Sequence, residues 1–428
     1  MPKAPHQLVV VFAFITVVVG YAVMAINFPI AYIWATYEDL IGEWCQTYFF
    51  LAAGVISVCV ATRNTRYRWF FVVFALAALY VVLEEISWGQ RIFGFTTPAF
   101  FEEHNLQGEA NLHNLFTGPY STMLKDALSI TIAFGLIAYG LLYPLALSWR
   151  WPIACFVDSK GVAAPPIVLS PFFAVAAFLE LKPLSFNEAE IAELLVAMAM
   201  AATALHYYFA TTRRISPIDD AAWNRNDSLV LGRWLICTMV LVIVFAGITT
   251  SVFYSSPRNN ALVNGRIDRG IEKFAGRYVR YGRCDIANEL YQILLNKDSG
   301  SVSLIRKIAA CHQMMGSDDL VRSYIDRALE IDLQKYANEP WRASVNRSLV
   351  LSYRLVGDLD RADEYLERAL EIGFRRIRED PDSANAAYSL GRTLLLANRR
   401  DEAAEQFTIA YKADSSSSKY RKAYFAAR

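Results

Sequence analysis

Gly357-Asp-Leu-Asp-Arg-Ala362 is a short turn-and-helix phrase that the chain uses four times. Its other forms are Gly282-Arg-Cys-Asp-Ile-Ala287, Gly316-Ser-Asp-Asp-Leu-Val321 and Asn398-Arg-Arg-Asp-Glu-Ala403. The turn residues stand 34, 41 and 41 positions apart. Glycine or asparagine at that point supplies the left-handed residue on which a helix can end. Ala328, Ala369 and Ala410 each follow a turn residue by twelve positions, where a small side chain lets neighbouring helices approach. Leu349 with Tyr353, and Leu390 with Gly391, fall on the apolar stripe of the preceding helix. The two longer spacings add about two helical turns. That predicts a lengthened second helix, as in Ala369-Leu-Glu-Ile-Gly-Phe-Arg-Arg-Ile377.

Across roughly residues 268–414 this phase resembles the tetratricopeptide repeat, a helical hairpin stacked into an array. An ordinary helical bundle is the competing reading. The resemblance implies a curved surface that binds a protein or peptide segment rather than a catalytic centre. The segment Ser415-Ser-Ser-Ser-Lys-Tyr-Arg-Lys-Ala-Tyr-Phe425 reads as a capping helix or as a basic tail.

Upstream of the repeats the composition changes. Residues 1–256 carry 13 Lys+Arg and 17 Asp+Glu, whereas the shorter stretch 257–428 carries 29 and 24. The shift places a domain boundary near Ser255-Ser256-Pro257, giving domains 1–256 and 257–428. With 55% hydrophobic and 19% charged residues over the 428-residue chain, disorder and a wholly soluble enzyme are both excluded. The net charge of +1 gives no reason to expect nucleic acid as a partner.

Seven apolar segments approach the roughly 20 residues that cross a hydrocarbon core: about 8–26, 45–62, 69–87, 126–148, 163–181, 189–210 and 229–253. The fifth contains Pro165, Pro166 and Pro171 and is the weakest. The expected fold class is therefore all-α: a polytopic transmembrane bundle of about seven helices, in contact with membrane lipids, followed by the repeat domain. Alternate connections carry ten and three Lys or Arg residues. The richer side belongs in the cytoplasm. That places the N-terminus inside and the C-terminal domain outside, in the periplasm of a Gram-negative source. The acidic residues collect on the opposite, outer side.

The densest polar cluster begins at Glu84-Glu-Ile-Ser-Trp-Gly-Gln-Arg91 and continues through Glu102-Glu-His-Asn-Leu-Gln-Gly-Glu-Ala-Asn-Leu-His-Asn114. A carboxylate at a membrane helix end is a functional-site candidate with a partner nearby. Glu84, Glu85, Glu109 and His113, with His104 close in sequence, are the candidates for general acid–base work or for holding a divalent ion. Glu84, Ser87, Trp88 and Arg91 share one face if the helix continues. A Glu–Arg staple at the membrane surface and an interfacial Trp88 are the plainer readings. His206 lies near the opposite end of the sixth segment and is expected to stay apart. The chain contains no His-Glu-x-x-His, no paired Cys-x-x-Cys, no Gly-x-Ser-x-Gly and no glycine-rich phosphate loop.

Glu38-Asp39, Glu43-Trp44, the 84–91 stretch and Asn105-Leu-Gln-Gly-Glu-Ala-Asn-Leu-His-Asn114 together resemble an uncharacterised family of bacterial integral membrane proteins. The likeness covers about residues 37–115. It marks Ser87, Trp88, Gln90, Arg91, Asn105, Gln107 and Asn114 as motif positions and implies a bacterial inner-membrane setting, with no activity attached. Six cysteines are spread along the chain. Cys284 and Cys311 fall on facing elements of adjacent repeats, where an oxidising compartment would permit a bridge.

Overall fold

The computed structural model describes residues 5–37, 39–90, 95–98, 100–101, 121–218, 225–415 and 417–427. Among them the chain is helical with no strand. It forms two compact units, Met1–Gly270 and Ile271–Arg428. The division falls inside one continuous helix, Pro257–Arg280, and not at the composition break before Pro257.

The first unit is built from α1 (Pro5–Asn27), α2 (Pro29–Thr36), α3 (Ile41–Arg63), α4 (Arg68–Glu85), α5 (Ser121–Ile137), α6 (Tyr143–Ser148), α7 (Pro152–Ser159), α8 (Ser170–Glu180), α9 (Glu188–Arg213) and α10 (Arg225–Ser255). Among the described residues five stretches are long and apolar enough to cross a membrane: Pro5–Asn27, Pro29–Arg63, Asp126–Ser148, Glu188–Arg213 and Arg225–Ser255. Side-chain contacts set their directions. His6 at the start of α1 meets Ser228 at the start of α10, and Arg63 at the end of α3 meets Tyr208 near the end of α9. At the other end, Gln46 joins Glu85 and Glu193. Among the described residues seven legs result that alternate in direction along the chain, with α3 and α9 packed in parallel, and they centre on α9, whose apolar and small residues are buried along its length.

Two of the seven expected spans differ from a plain helix. α4 stops at Glu85, and Ser87, Trp88 and Gly89 take left-handed backbone with φ of 48°, 53° and 89°. The expected 163–181 span contains only the 11-residue helix α8, preceded by one 3-10 turn at Ile167–Leu169. Eleven residues rise about 17 Å, well short of the ~30 Å of a hydrocarbon core. Residues 161–166 cover the remaining distance as non-helical chain, as two successive prolines require.

That chain is buried at Ala163 and Ala164, so its carbonyls need partners. The hydroxyls of Tyr143, Tyr139 and Tyr207 donate to the carbonyl oxygens of Val162, Ala163 and Ala164 at 2.8, 3.1 and 3.0 Å. The Trp69 indole donates to Lys160 at 2.8 Å. Tyr139 lies in, and Tyr143 directly follows, a π-helical turn, Ala138–Leu142, that precedes Pro144. A proline has no N–H for the carbonyl one turn back, which favours such a widened turn. Gly140 in this turn rests on Phe173, and a Cβ there would stand 2.0 Å from the ring.

The second unit consists of the rest of α11 (Pro257–Arg280), then α12 (Cys284–Lys297), α13 (Val302–Met314), α14 (Asp318–Asn338), α15 (Ala343–Val356), α16 (Leu359–Glu379), α17 (Ala384–Leu396), α18 (Arg400–Ala413) and α19 (Ser418–Ala426). The four turn residues, Gly282, Gly316, Gly357 and Asn398, all have positive φ, between 58° and 84°. Ala328, Ala369 and Ala410 are fully buried. α14 and α16 have 21 residues each, against 14 for α12 and α18, which accounts for the two longer spacings. Segment 415–425 is a capping helix: Tyr420 is buried against Ala387 and Ala410.

A buried arginine ladder runs between successive hairpins and went unseen in the sequence. Arg306 Nη1 donates to Ser348 O, Ser348 Oγ and Ser352 Oγ at 2.9, 2.9 and 3.1 Å. One repeat on, Arg347 Nη1 donates to Ser389 O, Ser389 Oγ and Thr393 Oγ1 at 3.0 Å each. Arg306 also pairs with buried Asp332 at 3.3 Å. The position equivalent to Asp332 in the next repeat is Gly373, where Leu390 leaves no room for a side chain. Burial therefore pushes Arg347 down to about 10, with Arg392 and Arg376 adding to the effect.

The two arginines should respond differently to removal. Arg306→Met strands Asp332 and should cost about 3–5 kcal/mol, whereas Arg347→Met removes a cation with no carboxylate partner and should change stability by less than about 1 kcal/mol. Hydrogen exchange across α13, α15 and α17 reads both. Because the folded-state value of Arg347 is depressed, its own contribution to stability should rise as pH climbs from about 10 towards 12.5, and the difference between wild type and Arg347→Met should change in that sense across the window. Separately, Tyr207→Phe leaves the Ala164 carbonyl without a donor. It should cost about 1–3 kcal/mol by thermal unfolding in detergent.

Candidate functional site

The acidic residues of the first unit meet at one end of the legs because they occupy the starts of legs that run one way and the ends of legs that run the other. Glu43 opens α3, Glu84 and Glu85 close α4, Glu180 closes α8, and Glu188, Glu190 and Glu193 open α9. Antiparallel packing brings these termini together. A carboxylate in the first turn of α3 or α9 also faces the positive end of the helix dipole.

At the centre is Gln46, buried one turn inside α3. Its Nε2 group donates to Glu85 Oε1 at 3.1 Å and to Glu193 Oε2, so one amide bridges two carboxylates. Glu43 and Glu180 lie close enough to act electrostatically on Glu193. Glu180 is itself held by Ser129 Oγ at 2.9 Å. Glu188 accepts the backbone N–H groups of Leu184 and Phe186, both at 2.6 Å, and thereby fixes the turn that enters α9. Tyr32 donates to Phe186 O at 2.7 Å, which ties α2 to the same turn. Asp39, with φ of 64°, pairs with Arg266.

The left-handed turn after α4 separates the two adjacent glutamates. Glu85 points to Gln46, while the chain curls back so that Trp88 Nε1 donates to Glu84 Oε1 at 2.7 Å. Tyr80 meets the Trp88 ring edge-on. Ser87 is fully buried, and Gln90 donates to Thr97 Oγ1 at 2.8 Å. Left-handed backbone costs a non-glycine residue roughly 1–2 kcal/mol, so two such residues in succession store strain at this point. The helical face expected to align Glu84, Ser87, Trp88 and Arg91 does not form, since the helix ends before Ser87.

Arg91, His104, Asn105, Gln107, Glu109, His113 and Asn114 lie outside the described residues. The described part of the expected site is therefore Glu84, Glu85, Ser87, Trp88 and Gln90, to which the fold adds Gln46 and Glu193. Both additions are polar residues in otherwise apolar helices, a signal present in the sequence but unassignable without the pairing of legs. Among the described residues no group of three or more His, Cys, Asp and Glu side chains is arranged to hold a metal ion. His206 is at the far end, where its Nε2 contacts Pro217 O at 2.8 Å. Cys284 and Cys311 are free thiols.

Gln46→Leu should leave Glu85 and Glu193 without their shared donor and cost about 2–3 kcal/mol, and Gln46→Glu should cost more by adding a third carboxylate. Thermal unfolding of the detergent-solubilised chain checks both, with unchanged melting of Gln46→Leu as the contrary result.

The tetratricopeptide-repeat family profile matches residues 341–416. Among solved structures, MamA is 21% identical to this chain over an alignment that covers 35% of this chain and 78% of that one, with a TM-score of 0.18. TTC0263, a thermophilic TPR protein of Thermus thermophilus, is 20% identical, with coverage of 37% and 79% and a TM-score of 0.22. No curated protein matches the chain. Residues 341–416 of the C-terminal unit are thus a tetratricopeptide-repeat region, a helical-repeat fold that exposes an extended curved surface.

Proposed function

We propose that the protein is a membrane-anchored interaction scaffold that presents its repeat unit on the outer face of the bacterial inner membrane and recruits a protein or peptide partner for envelope or polysaccharide assembly. The observation that carries this reading is the repeat array itself. α13 packs on α15 and α15 on α17, so the first helices of successive hairpins form one continuous wall. Ser303, Ser344, Leu351 and Arg392 stand exposed on it at recurring positions. That wall is the surface we assign to the partner.

Anchoring and sidedness rest on the five long apolar stretches and on the distribution of Lys and Arg. The acidic end of the legs then faces outward with the repeats.

A second reading is a membrane-embedded hydrolase or transferase acting on a lipid or lipid-linked substrate. The strained Ser87-Trp88 turn beside Glu84 and Glu85 favours it, since strain of this kind collects at functional sites. Glu109 and His113 complete that proposal as acid–base partners, with a divalent ion as the cofactor it would use.

A photocrosslinking residue at Ser344 or Leu351 of the full chain, in its native membrane, should trap one discrete protein. The same residue at Asp363 or Glu367, exposed on α16, should trap several-fold less. Equal capture from both faces refutes the scaffold reading. A reporter fused after Arg428 should be active only outside the cytoplasm. Glu85→Gln and His113→Ala with normal protein level and normal envelope phenotype would remove the enzymatic alternative.

A further inference from the structure

The first hairpins of the repeat unit contain sulfur where the later ones do not. Cys284 opens α12, and Cys311 and Met314 lie one turn apart at the end of α13. Cys284 Sγ is 3.5 Å from Met314 Sδ, and Cys311, one turn before Met314 on α13, lies close enough to Cys284 to act on it electrostatically. Both cysteines are buried, at 3% and 1% exposure, while Met314 is 61% exposed. Three sulfur atoms thus converge with one side open to solvent.

The repeat alignment argues against simple filling of space. Cys311 is equivalent to Ser352 and Thr393, the hydroxyls that receive the arginine ladder. Cys284 is equivalent to Asp318, Leu359 and Arg400, none of them a small apolar residue. Packing alone gives no reason for a second thiol at that place beside the first.

We propose that Cys284, Cys311 and Met314 form a three-sulfur site for a soft monovalent metal ion, Cu(I). Thiolate and thioether donors select such an ion. Zinc prefers four donors, and no fourth His, Cys, Asp or Glu joins the set among the described residues. Binding replaces the two thiol protons with one metal ion. The protons pass to solvent, and no electron moves. The exposed Met314 provides the way in. Because binding displaces thiol protons, affinity should rise with pH.

The test is anaerobic Cu(I) titration of the full-length, detergent-solubilised chain against a chromophoric Cu(I) chelator. Wild type should hold one Cu(I) per chain. Cys311→Ser, which installs the residue found at the equivalent position 352, should bind at least about 100-fold more weakly, and Met314→Leu roughly tenfold more weakly. Circular dichroism should confirm that both variants fold. Three results overturn the proposal: equal Cu(I) retention by wild type and a Cys284→Ser/Cys311→Ser double variant, unchanged affinity in Met314→Leu, or a disulfide joining Cys284 to Cys311 in chain taken directly from its native membrane.

Discussion

The carbonyl groups of Val162, Ala163 and Ala164 sit inside the first unit, on chain that two prolines keep from being helical. Three tyrosine hydroxyls from two other legs supply their hydrogen bonds. Obligatory pairing of buried backbone groups shapes the rest of the unit as well. Six legs meet it with helical backbone, and the fifth in chain order meets it with borrowed side chains. The π turn before Pro144 and the close seat of Gly140 on Phe173 follow from aiming Tyr139 and Tyr143 at that strand of chain. Extended backbone gains length per residue, which lets a short helix still run the length of its neighbours.

Polar groups elsewhere in the unit are sorted to its two ends. One end collects Arg63, Arg66 and Arg213 with Asp158, Tyr67 and the His6–Ser228 contact. The other collects carboxylates with few cations. Carboxylates packed at that density repel one another, and the described contacts show how the fold contains them. An amide is shared between two, an indole N–H and a serine hydroxyl serve two more, and backbone N–H groups serve Glu43 and Glu188. The left-handed turn at Ser87–Gly89 is what sends Glu84 and Glu85 to different partners. Its conformational cost is thereby tied to the arrangement of the acidic end.

In the repeat unit the burden passes from backbone to side chains between hairpins. Alanines allow close helix approach, and at two successive interfaces a guanidinium crosses to bind a carbonyl and two hydroxyls. The ladder is not uniform. Arg306 has Asp332, while Arg347 faces the same geometry with Gly373 in the equivalent place, because Leu390 occupies the space. The sulfur cluster stands at the start of this series, where Cys311 takes the place of a hydroxyl.

Much of this was legible in the residues themselves. Turn residues, buried alanines and the longer second helices follow from local rules: a helix needs a left-handed exit, and close contact needs a small side chain. The five long apolar stretches follow from length and hydropathy in the same way. Other features had no local signature. That Gln46 bridges Glu85 and Glu193, residues 39 and 147 positions away along the chain, depends on which legs are neighbours. The early end of α4 at Glu85, and the hydrogen-bond partners of the extended passage through 161–166, depend on distant helices. The same is true of Arg306 and Arg347, which look like ordinary surface cations until the next hairpin covers them. Sequence alone determined where helices begin, end and turn, because those choices are made within a few residues. Tertiary structure decided which polar groups meet, because hydrogen bonds between remote segments exist only once packing has excluded water from both.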